Sequence, residues 1–240
     1  MPALPPISER DIRVDSVEII YEDEAIIAVN KPARLPMHAN LDLERDHLVG
    51  VLSRQLARRD GDSGYLGVHH RLDWGTSGIV IFTRTKSANA PLARQFETHS
   101  LAKVYWALVY GELGQLRSPR RVAVPLGEPR QRGGRVQING AHAVPAVTTI
   151  KLLRRNKGSA WAEALLETGR KHQVRAHLLS LGIHIYGDVL YGDAKHPAVL
   201  RPMLHAASIT LNHPLSGERL LLRADMPRDM HDLAVSLGLA

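Results

Sequence analysis

Residues 69–84 read HHRLDWGTSGIVIFTR, and this stretch carries the clearest local signal in the chain. A charged triplet, Arg71-Leu72-Asp73, leads into Gly75-Thr76-Ser77-Gly78 and then into the β-branched run 79–83. That order predicts a loop, a tight turn and a strand. The glycines allow a sharp bend or a close approach to a ligand, because they carry no Cβ. The residues alone favour Asp73 as a turn aspartate that accepts hydrogen bonds from its own backbone amides.

Composition limits the class of protein. The chain has 240 residues and is 44% hydrophobic, which is enough for a sizeable core and excludes a disordered protein. No apolar run approaches the ~20 residues of a membrane span, and the start lacks the apolar core of a signal peptide. We therefore expect a soluble, cytoplasmic protein without membrane contact. The absence of cysteine excludes disulfides, thiolate metal sites and cysteine nucleophiles.

The chain is basic, with a net charge of +7 and 13 histidines. A basic surplus attracts polyanions such as nucleic acid, although many basic surfaces are merely solvated. The surplus is densest between residues 115 and 136. That segment contains Arg117, Arg120, Arg121, Arg130, Arg132 and Arg135 against the single acid Glu128. It is interpreted either as a basic hairpin that follows phosphates or as a solvated loop.

Periodicity predicts more strands than helices. Strands are expected at 17–29 (two, about an acidic turn), 79–83, 104–110, 147–153, 161–167, 207–211 and 220–224. In the strand at 104–110, one face is expected to pack and the other to meet a substrate. Helices are expected through Leu48, Leu52 and Leu56, after a Ser87 cap, from about Arg170 to Gly182, and after Pro227.

With short connections, these elements predict an α+β fold with a mixed, mainly antiparallel sheet flanked by helices. Residues 1–16 are expected to form a loosely ordered lead-in, and residues 17–240 a single catalytic domain.

The stretch HRLD, a variable residue and then GTSG resembles the signature of the RluA-type pseudouridine synthases. Further segments are similar to motifs of the same family in the same order, at 21–32, 95–97, 103–111, 168–177, 187–192, 204–206 and 213–218. The resemblance therefore covers residues 17–225. It implies the pseudouridine synthase catalytic fold and the isomerisation of a specific uridine in tRNA, in large-subunit rRNA, or in both.

The same resemblance implies that no cofactor is needed, because the reaction detaches uracil, turns it and rejoins it to the same ribose. The partner is RNA, and a monomer is the default. Some relatives carry a small RNA-binding domain ahead of the catalytic one. Only 16 residues precede the entry strand here, so we expect the form without that domain.

Three catalytic residues follow from the resemblance. Asp73 is the essential carboxylate, acting as a nucleophile on the ribose or the base, or assisting a glycal intermediate; the sequence leaves these routes open. Arg175 is its cation partner, since an unpaired buried carboxylate would lose its charge. Tyr105 stacks on the target base and is a candidate to take the proton from its ring carbon. Arg71 fills the gap left by the extruded nucleotide.

Substrate-binding residues are expected at Lys31, Arg71, Leu72, Thr76, Ser77, Gly78, Arg170, Lys171 and His172. Arg170 to His172 are placed at a helix N-terminus, where amides and cations suit phosphate, with a solvated helix start as the alternative. Arg34 stands where the family usually has glycine, which puts the local turn in question and offers an extra phosphate contact. Trp74 is a candidate to cover the substrate path.

Two other functions are compatible with parts of the sequence. Metal-dependent hydrolysis would use some of the 13 histidines, but no His-Glu-x-x-His is present. His172 and His177 are five residues apart and do not share a helix face, so no metal site is expected. The other rival is an RNA-binding module without catalysis. The presence of Asp73, Tyr105 and Arg175 argues against it.

Overall fold

A computed structural model describes residues 13–39, 45–116, 119–131, 133–140, 142–192 and 199–240. The strands in these ranges are β1 (Glu18–Glu22), β2 (Ile26–Lys31), β3 (Gly67–Val68), β4 (Ser77–Thr83), β5 (Ala102–Gly111), β6 (Arg120–Val122), β7 (Leu126–Gly127), β8 (Gln137–Ile138), β9 (Thr148–Asn156), β10 (Ser159–Leu166), β11 (Ile183–Ile185), β12 (Leu204–Asn212) and β13 (Arg219–Arg223). The α-helices are α1 (Leu48–Asp60), α2 (Asn89–Glu97), α3 (Gln173–Ser180) and α4 (Arg228–Ser236).

Eleven of these strands form one continuous sheet. Its main path runs β1-β2-β4-β12-β5-β10-β9-β6, with β3 on β4, β11 on β5 and β13 on β12. Within the described residues the β4–β12 pairing is parallel and the other pairings are antiparallel. The predicted α+β fold with a mixed, mainly antiparallel sheet is confirmed.

The helices follow the predicted apolar spacing, but their starts differ. Leu48, Leu52 and Leu56 are fully buried along α1, as their spacing predicts. The expected cap at Ser87 is wrong: a 3-10 turn over Lys86–Ala88 precedes α2, and no side chain caps either element. The Ser87 hydroxyl instead lies 3.1 Å from the Thr85 hydroxyl.

The start of α3 was also predicted too early. It begins at Gln173, not near Arg170, because His172 has φ 54° in the left-handed region and cannot continue a helix towards the N-terminus. Gly182, with φ 68°, follows the helix end as expected. The last helix starts after Pro227, and Met230 and Ala234 are its buried residues.

The central strand β5 corrects one expectation. Its two faces do not divide into one packed and one open along the whole strand, since residues 107–110 are all buried. They belong to a core that also contains Val174 of α3 and Met230 of α4. Only the first half of β5, with Lys103 and Tyr105, opens into a cleft.

The basic segment divides between two sheets: β6, with Arg120 and Arg121, pairs with β9 at the end of the main sheet, and β7 pairs with β8, which follows the segment. Arg117 and Arg132 lie outside the described residues. Arg121 forms an ion pair with Glu167 at 2.9 Å, whereas the Arg120 side chain is exposed. Phosphate binding by this segment stays a prediction.

The chain's N-terminal part is described only from residue 13. There the Val14 amide donates to Asp46 at 2.9 Å, which attaches the end of the predicted lead-in close to α1. In the part of the chain that the structure describes, no helix combines the length and the apolar character needed to cross a membrane.

Candidate active site

Asp73 lies in the tight turn before β4, where its carbonyl accepts the Thr76 amide at 3.0 Å. Its carboxylate is 25% exposed and borders a cleft of about 890 Å³. The carboxylate does not accept hydrogen bonds from its own turn, as a purely structural turn aspartate would. Its Oδ2 instead accepts one from Nη1 of Arg175 at 3.1 Å, across 102 positions of sequence.

A second carboxylate holds Arg175 in place. Nε and Nη2 of Arg175 each donate to one oxygen of Asp188 at 2.7 Å, and the Asp188 side chain is fully buried. Oδ1 of Asp188 also accepts the amides of Leu190 and Tyr191 at 3.1 and 3.0 Å. Burial alone would lower the pKa of Arg175, but the hydrogen bonds and charges of Asp188 and Asp73 raise it. Arg175 is therefore a permanent cation with one nitrogen left for Asp73.

Tyr191 and His172 complete a ring of contacts around this pair. The Arg175 guanidinium lies 4.8 Å from the centroid of the Tyr191 ring. The Tyr191 hydroxyl accepts the Val136 amide at 2.7 Å and lies 3.0 Å from Nδ1 of His172. His172 Nε2 is in turn 3.6 Å from Oδ2 of Asp73.

The protonation of His172 follows from these contacts. Burial lowers the pKa of His172 to about 4, against the opposing attraction of Asp73 and with repulsion from Arg175. The imidazole is therefore neutral at pH 7. The Tyr191 contact at Nδ1 and the Asp73 contact at Nε2 hold the ring between these two side chains. The backbone of His172 adopts the left-handed conformation at a cost of about 1–3 kcal/mol.

Tyr105 borders the same cleft from β5. Its hydroxyl makes no hydrogen bond with the described residues. Burial, with repulsion from the Asp73 charge, raises the pKa of Tyr105. The phenol is therefore protonated at neutral pH, and its half-buried ring borders the space that a nucleobase in the cleft would occupy.

Several of the other predicted residues also line this cleft. They are Arg71, Leu72, Thr76, Arg170, Lys171 and His172. Arg71 is exposed and makes no ion pair with the described residues. The Thr76 hydroxyl is buried without a hydrogen-bond partner, so a bound ligand can supply one.

Lys31, Ser77 and Gly78 lie behind the cleft and not in its wall. Lys31 is fully buried, and its ammonium donates to the carbonyls of Pro32 at 2.9 Å and Leu35 at 3.0 Å. The Ser77 hydroxyl lies 3.0 Å from Nδ1 of His205. These contacts hold the Asp73 turn from inside the protein.

Gly78 gives β4 its close approach to β12. It has φ 119°, and a Cβ there would meet the carbonyl oxygen of Ala206 at 2.3 Å. Any side chain would push the two strands apart.

The segment after β2 also contacts the Asp73 turn. Arg34 has φ 65°, a conformation that favours glycine, and its amide donates to the Trp74 carbonyl at 2.7 Å. The guanidinium groups of Arg34 and Arg45 each lie 5.6 Å from the Trp74 ring. The turn therefore forms with arginine in place of glycine, and Trp74 lies outside the lining of the cleft.

Sequence reasoning assigned no role to Asp188 and Tyr191, although both belong to the 187–192 motif. Their signal was the acidic residue and the aromatic within a segment similar to the family. Among the described residues, no three His, Cys, Asp or Glu side chains are arranged to hold a metal ion.

Comparison with known proteins identifies the architecture. Residues 25–180 match the family described as RNA pseudouridylate synthase. A protein of Zymomonas mobilis subsp. mobilis named ribosomal large subunit pseudouridine synthase D is 35% identical, over 89% of this chain and 70% of that protein. An uncharacterized RNA pseudouridine synthase of Bacillus subtilis is 32% identical over 90% of this chain and 71% of its own length.

A solved structure gives the same result. The human RNA pseudouridylate synthase domain containing 4 superposes with a TM-score of 0.75 at 26% identity, covering 92% of this chain and 93% of that one. Sequence and architecture agree over most of the chain, and it belongs to the RNA pseudouridylate synthase family.

Proposed function

We propose that this RNA pseudouridine synthase isomerises a specific uridine in large-subunit ribosomal RNA, with Asp73 as its essential carboxylate. The RNA class is supported by relatives of Zymomonas mobilis and Neisseria meningitidis, which are named ribosomal large subunit pseudouridine synthase D. Transfer RNA is the other substrate that the sequence resemblance left open.

The observation that carries the proposal is the position of the Asp73 carboxylate. Its Oδ2 accepts a hydrogen bond from Arg175, whose charge Asp188 already balances, while Oδ1 makes no hydrogen bond with the described residues. Asp73 therefore keeps one carboxylate oxygen available at the cleft without being withdrawn into a closed ion pair. This arrangement suits a group that must approach a reacting carbon.

The reaction breaks the bond from N1 of uracil to C1′ of ribose and forms a bond from C5 to C1′. The C5 proton is lost and N1 gains one, so atoms and electrons balance without a net oxidation. Asp73 can serve by attack on C1′, by attack on the base, or by assisting a glycal route. In each case the detached uracil must stay within reach, so positioning supplies much of the rate enhancement.

Tyr105 is proposed to hold the uracil by stacking. Because its pKa is raised, the phenol keeps its proton in the resting site and is not in the basic form that could take a proton from C5, which supports the stacking role over proton abstraction. Arg71, exposed at the cleft, is proposed to occupy the space of the extruded nucleotide. Thr76, with its unpartnered hydroxyl, is proposed to contact the substrate.

Lys31, Ser77 and Gly78 are proposed to act from behind the cleft, by positioning the Asp73 turn. The charged edge formed by Arg170 and Lys171 is proposed to contact the RNA backbone with its side chains. The backbone there offers less, since the Arg170 amide already donates to Oε1 of Gln173 at 2.9 Å.

Residues 17–240 are proposed to fold as one domain, supported by the single sheet that runs from β1 to β6. We further propose a monomer that works in the cytoplasm, where ribosomal RNA is found. Size-exclusion chromatography with light scattering tests whether the protein is a monomer. A mass of twice 26.5 kDa would contradict this.

The function is tested by mapping pseudouridines in total RNA after carbodiimide labelling. Cells without this gene are complemented with wild type, Asp73→Asn or Asp62→Asn, the last being an exposed aspartate away from the cleft. We expect a site in large-subunit rRNA that wild type and Asp62→Asn restore and Asp73→Asn does not. A site in tRNA would correct the substrate. An unchanged map would support the rival RNA-binding module.

A further inference from the structure

The active-site cleft contains a lysine without an assigned role, Lys103, beside the charged edge of Arg170 and Lys171. Lys103 lies on β5 two residues before Tyr105, so both side chains project from the same face of the strand. Both border the cleft, together with Arg170 and Lys171. The resemblance places Lys103 in a family motif but assigns no function to its side chain.

The structure makes room for the Lys103 ammonium. A Cβ built on Gly169 would lie 2.8 Å from Nζ of Lys103, so the amine packs against the Gly169 backbone and would have to shift if that residue carried a side chain. The same Nζ is 5.9 Å from the centroid of the Phe96 ring. Lys103 is thus held by backbone and aromatic surfaces and not by an acid.

The positive charges around Gly169 lack counter-charges. Lys103 and Lys171 make no ion pair with the described residues. The Arg170 guanidinium donates to the carbonyl of Pro145 at 3.1 Å, and not to a carboxylate. Burial, and then repulsion from Arg170, lowers the pKa of Lys103 to about 8. An anion bound between them would relieve that repulsion.

The other titratable groups around Lys103 do not supply this anion. His70 accepts the Ile81 amide at 2.9 Å, and burial followed by repulsion from Lys103 lowers its pKa to about 3. Burial and the same lysine lower the pKa of His99. Both imidazoles are therefore neutral at pH 7. Glu97 borders the cleft but forms no ion pair with Lys103.

We propose that Lys103 and Arg170 bind a phosphate of the RNA strand next to the target uridine. This rests on the proposed function and adds a binding residue for the same substrate. An RNA phosphate fits because it brings the missing negative charge into a cleft already open to the strand. Lysine suits it as a point charge with freely rotating donors.

The test separates binding from chemistry. Total RNA labelled with [5-³H]uridine is prepared from cells without this gene, and isomerisation releases tritium from C5. For Lys103→Gln we expect KM to rise about tenfold, as for the loss of one charged hydrogen bond, with kcat within about twofold. Lys103→Arg should keep the wild-type KM. Lys151→Gln, which removes an exposed lysine of β9, is the matched control and should leave both constants unchanged.

The pH dependence gives a second readout. As pH rises through the pKa of about 8, the free enzyme loses the Lys103 charge, and KM should increase between pH 7 and 9. Arginine at position 103 stays charged, so KM of Lys103→Arg should stay flat over that range.

Each failure has its own signature. A fall in kcat at constant KM in Lys103→Gln would mean that the lysine acts through Tyr105, and would overturn the phosphate contact. Unchanged constants would overturn it too. Folding is checked by thermal melting, and Lys103→Arg tests the site if the glutamine variant unfolds. Tritium release that is absent in wild type would refute the proposed function itself, and this inference with it.

Discussion

Replacing Asp188 by asparagine removes the charge that balances Arg175 inside the protein. The Asp188 side chain is 0% exposed and that of Arg175 is 9% exposed, so water cannot take over the pairing. The asparagine oxygen can still accept the amides of Leu190 and Tyr191, but its NH2 group would face a guanidinium donor. Breaking a buried pair from one side costs about 3–5 kcal/mol, and we expect that loss in the free energy of unfolding.

Asp73→Asn is the matched variant, because it alters the other carboxylate that contacts Arg175. Asp73 is 25% exposed, and Arg175 keeps both hydrogen bonds to Asp188 when it is changed. We expect a loss of about 1 kcal/mol or less, the net value of one hydrogen bond.

Urea unfolding followed by tryptophan fluorescence measures both losses. For a chain of this size, the Asp188→Asn loss corresponds to a fall in melting temperature of about 6–20 °C. Equal destabilisation by the two variants would refute the reasoning, since it would mean that Asp188 contributes no more than Asp73 to balancing Arg175.

Three further predictions concern Lys31, Arg34 and Arg120. Burial lowers the pKa of Lys31 in the folded protein to about 7, while the unfolded chain still holds the proton up to its ordinary pKa. The stability of wild type relative to Lys31→Met should therefore rise from about pH 7 to pH 10, by up to about 1.4 kcal/mol per pH unit. A constant difference between the two proteins in parallel urea titrations would contradict this. Arg34→Ala should destabilise the protein by about 1–2 kcal/mol, because it loses the contact with Trp74 while position 34 must still adopt the left-handed conformation. Arg34→Gly should stay within about 1 kcal/mol of wild type, because glycine adopts that conformation without strain. Melting temperatures in the opposite order would refute this reasoning. Arg120→Gln should flatten the logarithmic salt dependence of single-stranded RNA binding by about 0.7, measured by fluorescence anisotropy. Arg121→Gln should change it less, because Arg121 is paired with Glu167; equal slopes would contradict that.

Sequence patterns within a few residues were sufficient to predict some elements but not others. The spacing of Leu48, Leu52 and Leu56 identified α1, because one apolar stripe is sufficient to specify a buried helix face. The cap at Ser87 failed because the chain turns first through a 3-10 segment, whose stability depends on neighbours that no local pattern reveals. The start of α3 failed because the left-handed conformation of His172 is fixed by tertiary contacts.

In the active site, too, some features could be predicted from the sequence and others could not. The pairing of Asp73 with Arg175 was expected from the family resemblance, and the 102 positions between them put it beyond any local pattern. A motif does not distinguish a residue that lines the cleft from one directly behind it, so Lys31 was grouped with the substrate contacts. Asp188 was missed for the converse reason: its importance comes from a guanidinium that only folding brings to it.

Backbone pairing explains why Asp73 and Tyr105 border the same cleft. Ala206 of β12 pairs with Gly78 on one side and with Tyr105 on the other, so β4 and β5 are separated by one strand at this level. Two strand spacings amount to about 10 Å. That spacing depends on the missing side chain of Gly78, since a Cβ there would meet the carbonyl oxygen of Ala206 at 2.3 Å and displace β12. Gly78 therefore constrains the separation of β5 from β4, which follows the Asp73 turn, while remaining outside the lining of the cleft.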